Sequence, residues 1–361
     1  MKSCDVKTIG ILTSGGDAPG LNAAIRGVCR TAMLNYGIKI IGIHNGYRGL
    51  VNGDMEELHA SDFSGILTRG GTILGTSRDK PFKNPQPDEQ TGLLPVDAIK
   101  ANYKKWGLDA LVTLGGNGTN TTAARLAEEG LNVVGLPKTI DNDIVKTDVT
   151  FGFHTALDVA AEAIDRIHTT AHSHSRCMII EVMGHKAGWL GLYSGIAGGG
   201  DVILIPEIPY NIDSVAQKVM ERRDAGKQFS IIIVAEGAKS REEALLDKKE
   251  FKRRRAAMSY SIAYRVAHEL ESTTKLESRV TVLGYLQRGG TPSPYDRILA
   301  TQYGVAATEF LVRGEFGKLV AMQQGKIIGV PLKDIAGKVK NIEPDDPMIV
   351  GARALGTGFG D

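Results

Sequence analysis

Apolar positions along the chain cluster into short β-rich runs, and several of these break at glycine or proline. Thr8–Ser14 (TIGILTS) leads into GGDAPG and then into LNAAIRGVCRTAML, whose Ala, Ile, Val and Met positions suit one face of a helix. Ile38–Ile43 is a second strand candidate. Leu111–Leu114 runs into GGNG and then TNTTAARLAEEG, a helix expected to end at Gly130. Val133–Leu136 reads as a strand that stops at Pro137, and Thr155–His168 (TALDVAAEAIDRIH) as a helix. Cys177–Val182, Val202–Ile205 and Ile231–Ala235 are further strand candidates. Strands alternating with helices predict the α/β class, with mostly parallel sheets covered on both faces. In such sheets ligands gather at the carboxyl ends of the strands, where these glycine pairs fall.

Composition narrows the picture. The 361 residues suffice for two domains or one large α/β unit, and 42% hydrophobic content permits substantial cores. With 43 basic against 41 acidic residues, the net charge of +2 argues against nucleic acid or a membrane surface as partner. No apolar run approaches the ~20 residues needed to span a bilayer. The start, MKSCDVKTIGILTSGG, lacks a long apolar core and a small-residue cleavage pattern. Cys4, Cys29 and Cys177 have no CxxC or zinc spacing. The expectation is a cytoplasmic protein with three free thiols, two of them buried. Lys248–Arg255 (KKEFKRRR) is the one charge run and reads as a solvated helix face or loop.

Three stretches carry candidate chemistry. GGDAPG, Gly15–Gly20, lies between a strand and a helix, where backbone N–H groups and the helix N-terminus favour an anion. It is neither a Walker loop nor GxGxxG, and a plain tight turn explains it as well. GGNGTNT, Gly115–Thr121, is a second such loop, with Thr119 as a hydrogen-bond donor. Asn117 there supplies an amide oxygen but no charge, so Asp17 and Asp143 are the carboxylates available to a hard cation. PKTIDND, Pro137–Asp143, sets two carboxylates at i and i+2, which share a face if the segment is extended. One could serve as a base and the other as a metal ligand, with Lys138 as a phosphate contact. Arg78, Arg176 and Arg288 recur near strand ends, and guanidinium forks match phosphate. His168, His172 and His174 have no nearby acid to complete a metal site and read as ordinary side chains.

GGDAPGLNAAIRG, GGNGT, PKTIDND, EVMGHKAGW and LGYLQRGGTPSPYDRILA occur in one order. Together they resemble the 6-phosphofructokinase family, from about Thr8 to Leu332. TIDND with LGYLQRGG is specific; GGNGT alone also fits NAD and lipid kinases. The resemblance implies phosphoryl transfer from ATP, with Mg²⁺, to the 1-hydroxyl of fructose 6-phosphate. It implies two similar three-layer α/β domains, 1–152 plus 287–337 and 153–286 plus 338–361, for donor and sugar phosphate respectively. By motif position Asp141 is the base, assisted by Thr139 and Asp143, with Asp143 and Asn117 near the metal. Gly16, Arg78, Asp79 and Gly116–Thr119 (Gly116, Asn117, Gly118, Thr119) would hold the donor. Thr139, Ile140, Asp141, Met183, Gly184, His185, Glu236, Tyr285, Leu286, Gln287 and Arg288 would line the sugar site. Arg176 and Arg279 would reach the 6-phosphate from a neighbouring subunit, which implies a homotetramer or homodimer with shared sites.

Departures from the family pattern matter. Asn117 stands where Asp is usual, and His185 where many bacterial ATP enzymes have Arg, which exchanges a fixed charge for a pH-dependent one. Lys138 before TIDND resembles pyrophosphate-using members. Gly118 resembles ATP users, because pyrophosphate enzymes carry a second acid there, in the path of the α-phosphate. A blocking carboxylate weighs more than an added cation, so ATP is the expected donor and pyrophosphate the alternative. A non-catalytic sugar-phosphate sensor is the third reading. Arg26, Arg30 and Lys227 match the basic effector cluster of bacterial members, but Ala60 and His168 stand where arginines are expected, which predicts feeble or absent activation by nucleoside diphosphates.

Overall fold

The computed structural model describes residues 4–83, 85–89, 91–174, 176–258 and 260–361. Among them eleven strands occur. They are β1 (Thr8–Thr13), β2 (Lys39–Ile43), β3 (Met55–Leu58), β4 (Ala110–Gly115), β5 (Val133–Pro137), β6 (Cys177–Val182), β7 (Val202–Leu204), β8 (Ser230–Ala235), β9 (Ser278–Val282), β10 (Lys318–Gln323) and β11 (Lys326–Pro331). The chain divides into two compact units, Met1–Thr155 with Arg288–Lys340 and Ala156–Gln287 with Asn341–Asp361.

In the first unit seven strands form one sheet in the order β11-β10-β5-β4-β1-β2-β3. β1 runs parallel to β2 and β4, and β5 parallel to β4 and β10; only the outermost strands β3 and β11 are antiparallel. Side-chain alternation sorts each strand onto two cores. Ile9, Ile11, Val112, Leu114, Val134 and Leu136 pack with the helices Leu21–Thr31 and Pro294–Val312. Leu12, Ile41, Ile43, Leu111 and Val133 face the other way, toward Tyr47, Ile99 and Leu126. The two helices on the first face approach closely at glycine. A Cβ on Gly27 would lie 2.8 Å from the Thr301 carbonyl oxygen, and one on Gly304 2.5 Å from that of Ala24.

The second unit repeats the plan with four parallel strands in the order β7-β8-β6-β9. Met178, Ile180, Val182, Ile231 and Ile233 share a core with Ala160, Ile164 and Leu192. Ile179, Val202, Leu204, Ile232 and Val234 face Val215, Val219, Val266 and Leu270. The chain end returns to the β7 edge, where Ile203 N–H donates to the Gly358 carbonyl (2.9 Å) and Asn211 N–H to that of Gly360 (2.7 Å).

Several expectations shift. The helix expected after GGNG already begins at Asn117, and that expected from Thr155 spans Phe153–His174. Strands β3, β9, β10 and β11 escaped the pattern analysis. β3 is a four-residue strand whose two buried residues flank two exposed glutamates, and β9 is short and largely exposed, so no apolar run marks either. The β10–β11 hairpin had a usable signal: Gln324-Gly325 between two apolar runs, both at positive φ (50° and 75°), as a tight two-residue hairpin requires. Lys248–Ala257 is a solvated helix with no buried residue, although Arg255 reaches the buried Glu243 (3.1 Å). Cys29 and Cys177 are buried and Cys4 is partly exposed, and all three are free thiols. No helix among the described residues is long and apolar enough to cross a membrane.

Candidate active site

In the first unit, three loops meet at the carboxyl ends of β1, β4 and β5. β1 runs into Ser14-Gly15-Gly16, where Ser14 N–H donates to the Leu114 carbonyl and Gly15 N–H to that of Ser77 (3.0 and 2.8 Å). β4 ends at Gly115, and the next helix starts at Asn117 with Gly116 preceding it. A side chain at Gly115 is impossible, since its Cβ would sit 2.2 Å from that of Thr119. The Thr119 hydroxyl donates to the Ser14 carbonyl (3.2 Å), and Asn120 Nδ2 donates to the Gly115 and Gly116 carbonyls (2.9 and 3.1 Å). The glycine turn is therefore rigid before any ligand arrives. It presents the N-terminus of a helix, where an anion is favoured.

β5 delivers Lys138–Asp143. The segment is a turn rather than an extended stretch, so the i, i+2 face-sharing argument does not hold. Asn142 adopts a left-handed conformation (φ 49°), and its Oδ1 accepts the Thr150 N–H (3.0 Å). Asp141 N–H donates to Thr139 Oγ1 (3.1 Å), and the Thr150 hydroxyl to the Thr139 carbonyl (2.7 Å). Thr139, Asp141 and Asp143 are all buried, and Ile140 is fully so, backbone included. Asn117 Nδ2 donates to Asp143 Oδ2 (2.8 Å) and to the Asp143 carbonyl (3.1 Å). Its Oδ1 is buried with no hydrogen-bond partner among the described residues.

Lys138 is only 3% exposed, and its ammonium donates to the Gly16 carbonyl. Burial, reinforced by the Arg288 charge, pushes it down to about 8, against the opposing pull of Asp141, Asp17 and Asp143. Arg288 belongs to this cluster: its Nη1 donates to the Asp17 carbonyl (3.0 Å), and a Cβ on Gly16 would lie 2.8 Å from that nitrogen. Arg78 lies exposed nearby in sequence, while Asp79 is drawn to Arg48 (2.6 Å), which holds its carboxyl below the usual range.

The second unit carries Met183–His185, Glu236 and Tyr285–Gln287 after the carboxyl ends of β6, β8 and β9, whereas Arg176 and Arg279 lie at the opposite, amino ends of β6 and β9. Met183 N–H donates to Gln287 Oε1 (2.9 Å), and His185 N–H to Glu236 Oε1 (2.7 Å). Gly184 takes φ 143°, and a Cβ there would meet the Ala187 carbonyl oxygen at 2.8 Å, so only glycine fits. Tyr285 and Leu286 are largely exposed, at 76% and 70%. Arg176 and Arg279 both bond Glu277.

The phosphofructokinase family model matches residues 8–311. The chain belongs to the phosphofructokinase family. Among curated relatives, the ATP-dependent 6-phosphofructokinase of Spirochaeta thermophila is 61% identical, with the whole of both chains aligned. ATP-dependent 6-phosphofructokinase 3 of Bacteroides thetaiotaomicron is 50% identical over 98% of this chain and 99% of its own. Among solved structures, T-state phosphofructokinase from Pichia pastoris aligns with TM-score 0.80 at 36% identity, covering 91% of this chain. This chain spans about a third, 35%, of that longer one. A pyrophosphate-dependent phosphofructokinase from Marinobacter aquaeolei shares the fold, with TM-score 0.80 at 22% identity, covering 98% of this chain and 88% of its own.

Three charged side chains stand outside the motifs. A Cβ on Gly118 would lie 3.8 Å from Lys80 Cε and 4.0 Å from its Nζ, which is ordinary van der Waals contact. An acid at position 118 would thus pair with Lys80, so the electrostatic part of the donor argument weakens and the steric part remains. Lys340 N–H donates to the Asp143 carbonyl (2.8 Å), and burial pushes its ammonium down to about 8. Glu277 precedes β9. None sits in a recognisable motif; each is brought in by sheet register or by a distant return of the chain.

Proposed function

We propose that this chain transfers the terminal phosphoryl group of ATP to the 1-hydroxyl of fructose 6-phosphate, a cytoplasmic step of glycolysis. The observation that carries the reading is the buried group of Lys138, Asp141 and Asp143 around a rigid glycine turn left open at Gly118. Such a transfer asks little covalent chemistry of a protein and depends on positioning and charge neutralisation. Asp141 accepts the sugar hydroxyl proton, its backbone held by Thr139. The helix N-terminus at Asn117, Lys138 and Arg288 stabilise phosphoryl charge, with Gly16, Arg78 and Gly116–Thr119 around the donor. Met183, Gly184, His185, Glu236 and Tyr285–Gln287 contact the sugar.

Mg²⁺ fits the first unit. The buried Asn117 Oδ1 has no hydrogen-bond partner among the described residues and lies on the side chain that bonds Asp143, so the pair offers hard oxygen ligands. Among the described residues no cluster of three His, Cys, Asp or Glu forms a cage. That suits an ion held mainly by phosphates and water, which when bound would neutralise phosphate charge. The curated relatives named above support ATP as donor. The buried Lys138 beside Gly16 favours pyrophosphate as the second reading. A homotetramer or homodimer completes the proposal, since Arg279, Tyr285 and Leu286 are exposed on or next to the edge strand β9.

Initial rates with fructose 6-phosphate and Mg²⁺, comparing ATP with pyrophosphate at equal concentration, test the reading. ATP-dependent turnover is expected. Turnover with pyrophosphate alone would make Lys138 the donor-selecting residue, and none with either would favour a sugar-phosphate sensor.

A further inference from the structure

Strand register brings three charges together in the second unit. β6 and β9 run parallel with Cys177 opposite Ser278, so the residues just before them, Arg176 and Glu277, are cross-strand neighbours. Cys177 N–H donates to the Glu277 carbonyl (3.0 Å), which pins the Glu277 backbone. Two residues further along β9, Arg279 falls on the same face as Glu277. The side chains meet accordingly. Arg176 Nε donates to Glu277 Oε2 at 2.6 Å, and Arg279 Nη2 donates to Oε1. One carboxylate thus bridges two guanidinium groups, and both arginines hold its carboxyl below the usual range.

Two guanidinium groups side by side repel each other, and a bridging carboxylate offsets that repulsion while leaving a net positive charge. The bridge engages Arg176 through Nε, and no hydrogen bond from either of its Nη groups occurs among the described residues. On Arg279, Nη1 rests on the Ser278 carbonyl at 3.0 Å. β9 is the edge strand of its sheet, and Arg279 is 52% exposed along its side chain, so a phosphate can approach.

We propose that Glu277 is a positioning residue for the 6-phosphate of a sugar bound by a neighbouring subunit: it holds Arg176 and Arg279 as one preformed anion clamp. The inference rests on the assignment of those two arginines to the sugar phosphate. Glu277 touches no reacting atom; it acts by lowering the cost of ordering two long, mutually repelling side chains when the phosphate binds.

Steady-state kinetics on Glu277→Ala, Glu277→Gln and Glu277→Asp, with Arg279→Ala as reference, test it. Glu277→Ala should raise KM for fructose 6-phosphate about tenfold, the loss of one charge-assisted contact. KM for ATP and kcat at saturating sugar phosphate should stay within about twofold, the pattern of lost ground-state binding. Glu277→Asp should recover part of the loss, and Glu277→Gln less. Competitive inhibition by inorganic phosphate against the sugar should weaken in parallel. An unchanged or lowered KM in Glu277→Ala, with Arg279→Ala raising it, would overturn the clamp, a lowered value marking Glu277 as a competitor for the arginines. If Arg279→Ala also leaves KM unchanged, the assignment of the arginines fails and the clamp with it.

Discussion

The buried polar group of the first unit and the candidate residues of the second use charge in opposite ways. Lys138, Asp141 and Asp143 are each at least nine-tenths buried and tied to backbone or to one another. Arg176, Arg279, Tyr285 and His185 are more accessible, and the two arginines share a single counter-ion. Buried charge is costly, so it is arranged once, by the fold, and kept. Exposed charge is cheap to hold but floppy, and a neighbour or a ligand must order it. The chemistry is therefore expected from the buried group, and graded recognition from the exposed one.

The sharpest way to break that contrast is to remove the base. Asp141→Asn should lower kcat by about 10²–10⁴ with both KM values nearly unchanged, the range for a lost general base. A kcat within tenfold of the parent would show that the buried cluster is architecture only.

Lys138 comes next and makes a prediction in pH. Its pKa falls from 10.5 to about 8 on folding, and Lys340 behaves alike. Between those values the unfolded chain binds more protons, so stability rises as pH climbs from about 8 toward 10.5. Activity should move the other way if the Lys138 ammonium holds phosphate as proposed: kcat/KM for ATP should fall about tenfold per pH unit above about 8. Denaturant titrations and rate profiles over the same buffers read both trends. Lys138→Met should start low and lack the alkaline decline attributable to this group; an identical decline in the variant would assign it elsewhere.

The smallest effect belongs to the exposed side. His185→Arg should lower KM for fructose 6-phosphate by only about two- to fivefold, since a solvated charge contributes little. A change in kcat of similar size or larger would mean that the exposed region takes part in chemistry.

The two regions also differed in how much of them could be read from the chain. Asp141, Asp143, Gly116 and Gly118 stood in compact motifs, because a loop that surrounds a phosphate must be built from consecutive small and polar residues. Lys80, Lys340 and Glu277 stood in none. Asp143 and Lys340 lie far apart in sequence and meet through a return of the chain, and Glu277 meets Arg176 through a parallel register that pairs Cys177 with Ser278. The i, i+2 argument for the two aspartates failed for a local reason. Asn142 takes a left-handed turn stabilised by Thr150, a contact from outside the motif.

By itself, then, the order of residues determined the α/β class, since alternation at period two and glycine-terminated apolar runs are local consequences of strand and helix geometry. It also determined which residue types could handle phosphate. Tertiary structure alone decided which of those charges are buried, that Lys138 sits near 8 rather than 10.5, and that one glutamate holds two arginines. Burial and cross-strand contact depend on the register and return of distant segments, and no local pattern encodes the dielectric that a side chain will meet.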